Sequence, residues 1–239
     1  MPANADSVKI EKLFKQSNIT GSLLIESGSS KAKYAYNIDN TERFVPASTF
    51  KILNTLIFLE EGLVKDEHES IPWDGVERSY SPWNQDQTLT SAFQYSCVWC
   101  YQRYAAKVGD STYREYLKTF NYGNKLTGKD ITRFWLEGDL RISAGEQIDF
   151  LRKVYSGDLP VQKKHLNTLK TIMLLDESDS YQIWSKTGWS GKDGWYVGYL
   201  KKADGVWFFA NHIEINRKED LAFRKSLVME SFKALNIIQ

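Results

Sequence analysis

The sequence predicts an α/β (α+β) chain whose mostly antiparallel sheet is flanked by helices and interrupted by an inserted helical lobe. Three observations predict it. Strand-like runs gather near the two ends, at 21–27 and 33–37 and again at 181–186, 194–200 and 206–213, and the short turns between neighbours favour antiparallel pairing. From about residue 66 to 179 the pattern changes to helical segments broken by aromatic, Asn- and Gly-rich loops. Between these regions the run 52–62, apolar on nearly all sides and ending at Gly62, reads as a buried helix with a glycine stop.

In chain order, a short helix at 8–16 leads into the strand at 21–27 and its hairpin partner across a Gly/Ser turn. The buried helix comes next, then the helical lobe. The three later strands complete the sheet, and an amphipathic helix at about 221–235 packs back on it. The expected organisation is a single domain, 1–239, of two lobes: a sheet lobe of about 1–65 and 180–239, and a helical lobe of about 66–179. The cleft between them is the natural place for a site.

Composition narrows the function classes. The 239 residues are 42% hydrophobic and 14% aromatic, enough for a sizeable core. With 31 basic against 30 acidic residues and no long block of either sign, neither nucleic acid nor a membrane surface is indicated, and a small-molecule partner is expected. No apolar run reaches the roughly 20 residues that span a bilayer. The opening Met1-Pro2-Ala3-Asn4-Ala5-Asp6 lacks the apolar core of a signal peptide. The two cysteines, Cys97 and Cys100, fall in a helical, aromatic segment and read as buried core thiols rather than a redox pair. His68, His165 and His212 are isolated, so neither a metal nor a histidine base is expected.

Nucleophilic chemistry gathers at Pro46-Ala47-Ser48-Thr49-Phe50-Lys51. Ser48 stands at the mouth of the core helix, and Lys51, three residues on, projects to the same face, close enough to take its proton. The helix N-terminus favours negative charge developing beside Ser48. Ser-x-x-Lys by itself arises about once by chance in a chain of this size, and Ser30 with Lys33 fits the same spacing in a polar turn to which no role is given. Further motifs give the first one weight. Lys186-Thr187-Gly188 ends a predicted strand with an ammonium, a hydroxyl and a glycine that permits close backbone approach, which suits an anionic ligand. Ser96 adds a hydroxyl from the helical lobe, Tyr122-Gly123-Asn124 a turn, and Phe134-Trp135-Leu136-Glu137-Gly138 an indole in apolar surroundings. Each alone is a common cap, turn or core residue.

As a set, in this order, they resemble the penicillin-recognising serine enzymes, and most closely the class D, oxacillinase-type, serine β-lactamases, over nearly the whole chain. Ser96-Cys97-Val98, Tyr122-Gly123-Asn124 and the run 134–138 select class D. The resemblance implies a β-lactamase/transpeptidase-like fold and hydrolysis of penicillin-type antibiotics through a serine acyl-enzyme, giving antibiotic resistance. Ser48 then matches the nucleophile, and Lys51 the lysine held N-carboxylated as general base. CO2 or bicarbonate is the source of that group, with no separate cofactor. Trp135 matches the indole bonded to the carbamate, Val98 the apolar residue beside it, and Ser96 the proton relay. Lys186, Thr187, Gly188 and Arg224 match the site for the substrate carboxylate, with Arg217 the neighbouring alternative to Arg224. The backbone N–H groups of Ser48 and Trp189 match the oxyanion hole. Trp83 and Leu136 match cleft-lining positions, and Glu137 reads as structural.

The same resemblance implies a mature form that is periplasmic or secreted, without a membrane span, acting as monomer or homodimer on a β-lactam. The rival is a β-lactam sensor domain acylated without turnover. Sensors tend to carry Asn at the position of Val98, which favours the hydrolase. A transpeptidase or carboxypeptidase shares the nucleophile, but the chain is short and shows no anchor. Cys97 is an unusual residue within Ser-x-Val, and the short turn 189–193 points away from strong carbapenem hydrolysis.

Overall fold

The computed structural model describes residues 5–39 and 41–239, so residues 1–4 of the N-terminal reading lie outside the described residues. Six strands form one antiparallel sheet: β1 (Gly21–Ser27), β2 (Lys33–Tyr36), β5 (Leu174–Glu177), β6 (Gln182–Ser190), β7 (Asp193–Lys202) and β8 (Gly205–Glu214). Their spatial order is β2-β1-β8-β7-β6-β5. A small separate ladder pairs β3 (Ser70–Ile71) with β4 (Gln87–Thr88). The helices are α1 (Ala5–Ser17), α2 (Lys51–Glu60), α3 (Leu89–Gln94), α4 (Val98–Val108), α5 (Asp110–Thr119), α6 (Ala144–Ser156), α7 (Lys163–Met173) and α8 (Phe223–Ala234). None is long and apolar enough to cross a membrane among the described residues.

The central strands are covered on both faces, which explains their unbroken apolar runs. Successive side chains go to opposite cores. Leu23, Ile25, Tyr196, Phe209 and Ile213 pack with residues of α1 and α8, whereas Leu24, Val197, Tyr199, Phe208 and Ala210 join the larger core built around α2. Every residue of α2 from Lys51 to Leu59 is buried. Removing Ile52, Leu53, Leu56, Ile57, Phe58 and Leu59 from water contributes on the order of 10 kcal/mol before conformational entropy. That margin lets the helix carry a buried lysine at its first position. It stops at Gly62, whose φ of 63° is the left-handed conformation a glycine stop supplies.

Several expectations change in detail. Ser48 lies in a 3-10 turn, Ala47–Phe50, and the α-helix begins only at Lys51. Strand β6 runs through Lys186, Thr187 and Gly188 rather than ending there, and its hairpin to β7 turns at Gly191 and Lys192. Strand β5 had no strand signature: Leu-Leu-Asp-Glu is short, charged and mostly exposed, as suits a sheet edge. Helix α6, although within 66–179, lies against β7 and β8. The reading of Cys97 and Cys100 as free thiols is corrected: they form a disulfide, and both are buried. The cause is local. Cys97 caps α4 and Cys100 lies in its first turn, with Cα atoms 5.5 Å apart, within bridging range.

Candidate active site

The turn that carries Ser48 is held from three sides. Trp195 of β7 donates its indole N–H to the Val45 carbonyl at 2.9 Å. Thr49 donates its hydroxyl to the Pro46 carbonyl at 2.7 Å and accepts from Gln147 Nε2 of α6 at 2.8 Å. Gly188 of β6 passes so close that a Cβ there would stand 3.0 Å from the Pro46 oxygen and 3.1 Å from Thr49 Cγ2. A larger residue would have to push the turn aside by a few tenths of an ångström. These contacts hold Ala47 at a φ of 50°, a left-handed conformation that costs a non-glycine residue energy and persists where the surroundings enforce it. Residues i and i+3 eclipse in a 3-10 turn, and Lys51 Nζ accordingly lies 3.3 Å from Ser48 Oγ.

Lys51 is wholly buried, and burial pushes its amine down to about 7. Nζ lies 4.6 Å from the centre of the Tyr101 ring, whose hydroxyl shares a 2.7 Å hydrogen bond with Thr55. Phe50, next to Lys51, packs on Trp135 with ring centroids 5.8 Å apart. Trp135 is fully buried, and its indole N–H has no partner among the described residues. Buried donors are nearly always satisfied, so this N–H marks a place for an acceptor oxygen.

The facing wall comes from α4 and β6. Lys186 pairs with Val197 and so shares its face of the sheet. Its ammonium donates to Ser96 Oγ at 2.5 Å and to the Thr187 carbonyl at 3.0 Å. Ser96 occupies the turn between α3 and α4 with φ of 54°. Burial, then the like charges of Lys51, Arg224 and Lys225, push the Lys186 amine well below its ordinary value. A bound anion would relieve that repulsion. Thr187, half-buried, pairs with Tyr196 on the opposite pleat, the side on which α8 packs. There Arg224 donates Nη1 to the Gly188 carbonyl at 2.8 Å and Nε to the Leu221 carbonyl at 2.9 Å, and burial pushes its guanidinium down to about 10. Arg217 is exposed and paired with Asp220, so β6 is served by Arg224.

The geometry thus gathers Ser48, Lys51, Ser96, Lys186, Gly188 and Arg224 around the Ser48 turn and β6. A chain with this arrangement is matched over residues 15–233 by the penicillin-binding-protein transpeptidase domain. The OXA-2 β-lactamase of Salmonella typhimurium is 37% identical over 231 residues, covering 95% of this chain and 84% of that one. The OXA-48 β-lactamase of Klebsiella pneumoniae is 41% identical over 201 residues, covering 82% and 76%. The crystal structure of the class D β-lactamase YbXI from Nostoc superposes with a TM-score of 0.93 at 38% identity, over 96% of this chain and 99% of that one. The chain belongs to the class D β-lactamases. It is a serine hydrolase of the β-lactam amide bond and confers the chemistry of β-lactam resistance.

In this enzyme the remaining candidates stand around the rim. Val98 is half-buried at the first position of α4. Trp83 donates its indole N–H to the carbonyl of Tyr95, the residue before Ser96, at 2.9 Å. The Leu136 carbonyl accepts from the Ser190 hydroxyl, tying the 134–138 segment to the β6–β7 hairpin. Trp189 is 47% exposed, with its indole N–H donated to the Gly191 carbonyl at 2.8 Å. Glu137 is exposed and pairs with Arg133. Three neighbours of the site had no sequence signal: Gln147, Tyr101 and Ser190 come from distant segments, and no local pattern marks a residue that touches the turn only after folding.

Proposed function

We propose that Ser48 is the residue acylated by penicillin-type β-lactams and that Lys51, N-carboxylated by CO2, is the general base for both acylation and deacylation. The observation that carries this is the pairing of a buried, deprotonatable lysine 3.3 Å from Ser48 with the partnerless N–H of Trp135. Carboxylation would give the lysine an anionic oxygen that accepts a proton and fits that indole donor, in a pocket Val98 helps keep dry. Ser48 Oγ loses its proton toward Lys51 and attacks the lactam carbonyl, with the N–H groups of Ser48 and Trp189 facing the developing oxyanion. The C–N bond breaks as Ser96 delivers a proton to the leaving nitrogen, replenished from Lys186, 2.5 Å away. Lys51, having passed the Ser48 proton on to restore Lys186, then takes a proton from the water that cleaves the ester and returns it to Ser48 Oγ as the acyl group departs. Lys186, Thr187, Gly188 and Arg224 hold the substrate carboxylate, while Trp83 and Leu136 line the cleft.

Intact mass after mixing with a small excess of a penicillin tests this reading. An adduct on Ser48 that appears and vanishes, leaving hydrolysed drug, is the expected result. An adduct persisting for hours would assign a sensor, and an adduct on any other residue would remove Ser48. Arg224→Ala is expected to raise KM about 10- to 100-fold with a smaller effect on kcat, the loss of one charge-assisted bidentate contact. Steady-state kinetics with a carboxylate-bearing penicillin checks it; unchanged KM would move the anion contact elsewhere. We also infer a mature form that works in the periplasm or outside the cell, where β-lactams are met. The β6–β7 hairpin turns in only two residues, Gly191 and Lys192, and from so short a turn we infer weak carbapenem hydrolysis.

A further inference from the structure

The structure assigns the Cys97–Cys100 disulfide a positioning role in acylation: it fixes the turn that aims Ser96 at Lys186. Ser96 holds a left-handed backbone, φ 54°, which a serine keeps only under constraint. On the α3 side the constraint is a pair of backbone bonds, Ser96 N–H to the Phe93 carbonyl at 3.1 Å and Cys97 N–H to the Ala92 carbonyl at 2.8 Å. On the α4 side it is the disulfide itself, with the Cys100 N–H donated to Cys97 Sγ at 3.3 Å. Ser96 is thus clamped between two helices, and its hydroxyl meets the Lys186 ammonium at 2.5 Å. Released from the bridge, Cys97 remains a weak cap through its sulfur, and the strained residue before it is free to relax toward ordinary backbone angles.

Both sulfurs are fully buried, so a soluble reductant reaches them only when this turn opens. The bond therefore persists in the folded enzyme and forms in the oxidising compartments where β-lactams are met. Its reduction by a dithiol takes up two electrons and two protons, giving two thiols and the dithiol's own cyclic disulfide. The inference rests on the acyl-transfer reading above, in which Ser96 donates a proton to the leaving nitrogen. It predicts a split between the two half-reactions, because proton delivery to nitrogen belongs to acylation alone.

The test is pre-steady-state kinetics on the wild type and on the Cys97→Ala/Cys100→Ala variant, with Ser48 acylation followed by intact mass. The wild type should show no free thiol when denatured without reductant. The variant should still be acylated on Ser48, with acylation slowed about ten-fold, a fraction of what a positioned acid contributes, and deacylation within about two-fold of wild type. Wild-type protein reduced by a dithiol in mild urea and returned to buffer should show the same slow acylation, and recover on reoxidation, which covers failure of the variant to fold. Free thiols in the native wild type, unchanged acylation in both reduced forms, or equal slowing of both steps would overturn the assignment. Absence of any Ser48 adduct in the wild type would instead overturn the acyl-transfer reading.

Discussion

Methionine in place of Lys51 is expected to abolish turnover and stabilise the fold, two large effects of opposite sign from one substitution. The loss of turnover follows from removing the amine that lies 3.3 Å from Ser48; a positioned base contributes roughly 10² to 10⁴ in rate. The gain in stability follows from linkage. The buried amine titrates at about 7, whereas the same group in the unfolded chain keeps its ordinary value of 10.5. Between pH 7 and 10.5 the unfolded chain binds the proton that the native chain has released, so this group makes stability rise with pH through that window. Below pH 7 both states hold the proton and the native state bears the full cost of a buried ammonium. At pH 7 that cost is on the order of 4 kcal/mol. Methionine has similar volume and no charge, and it suits the aromatic wall formed by Tyr101. Urea denaturation of both proteins in CO2-free buffer, where Lys51 is a free amine, at pH 7 and pH 9.5 checks this, with the gain expected to shrink at the higher pH. A methionine variant no more stable than the wild type at pH 7 would show that Lys51 is not held with a lowered amine pKa, and saturating CO2, by carboxylating the wild type, should narrow the difference.

That opposition explains what was readable in the sequence. A helix apolar on nearly all sides that nonetheless opens on a buried lysine is an internal inconsistency, and such inconsistencies mark sites. The strands were readable because two-sided burial leaves long apolar runs, and Gly188 because glycine eases the close approach of β6 to the Ser48 turn. The edge strand β5 was not readable, since its exposed, charged residues carry no periodicity. The bridge between Cys97 and Cys100 was misread because C-x-x-C was weighed by the surrounding composition, when the deciding fact was that α4 begins between the two cysteines. Tyr101 and Gln147 touch the site through tertiary packing alone, and nothing local distinguishes either from other residues of an amphipathic helix.

Trp135→Phe is expected to make activity depend on added bicarbonate. Phenylalanine keeps an aromatic ring against Phe50 but deletes the partnerless indole N–H together with part of the ring, so rescue by bicarbonate, which a cavity alone would not produce, is the readout that reports on the N–H. A hydrogen bond from a neutral donor to a charged acceptor contributes about 1.5 to 3 kcal/mol, which translates to roughly 10- to 100-fold weaker retention of CO2 on Lys51. The wild type should therefore be indifferent to bicarbonate near neutral pH, while the variant should lose most of its kcat in degassed buffer and regain it as bicarbonate is added. Only the neutral amine reacts with CO2, and Lys51 is protonated as pH falls through about 7. The requirement should accordingly steepen below pH 7 and fade above it. A carbon-13 NMR carbamate signal after addition of labelled bicarbonate supplies a readout independent of turnover: strong in the wild type, weak in Trp135→Phe and absent in Lys51→Met. A variant that keeps a wild-type signal and needs no bicarbonate would leave the buried indole N–H without a catalytic explanation. The pocket would then owe its dryness, and Lys51 its lowered pKa, to the aromatic packing of Phe50, Phe134 and Trp135 alone.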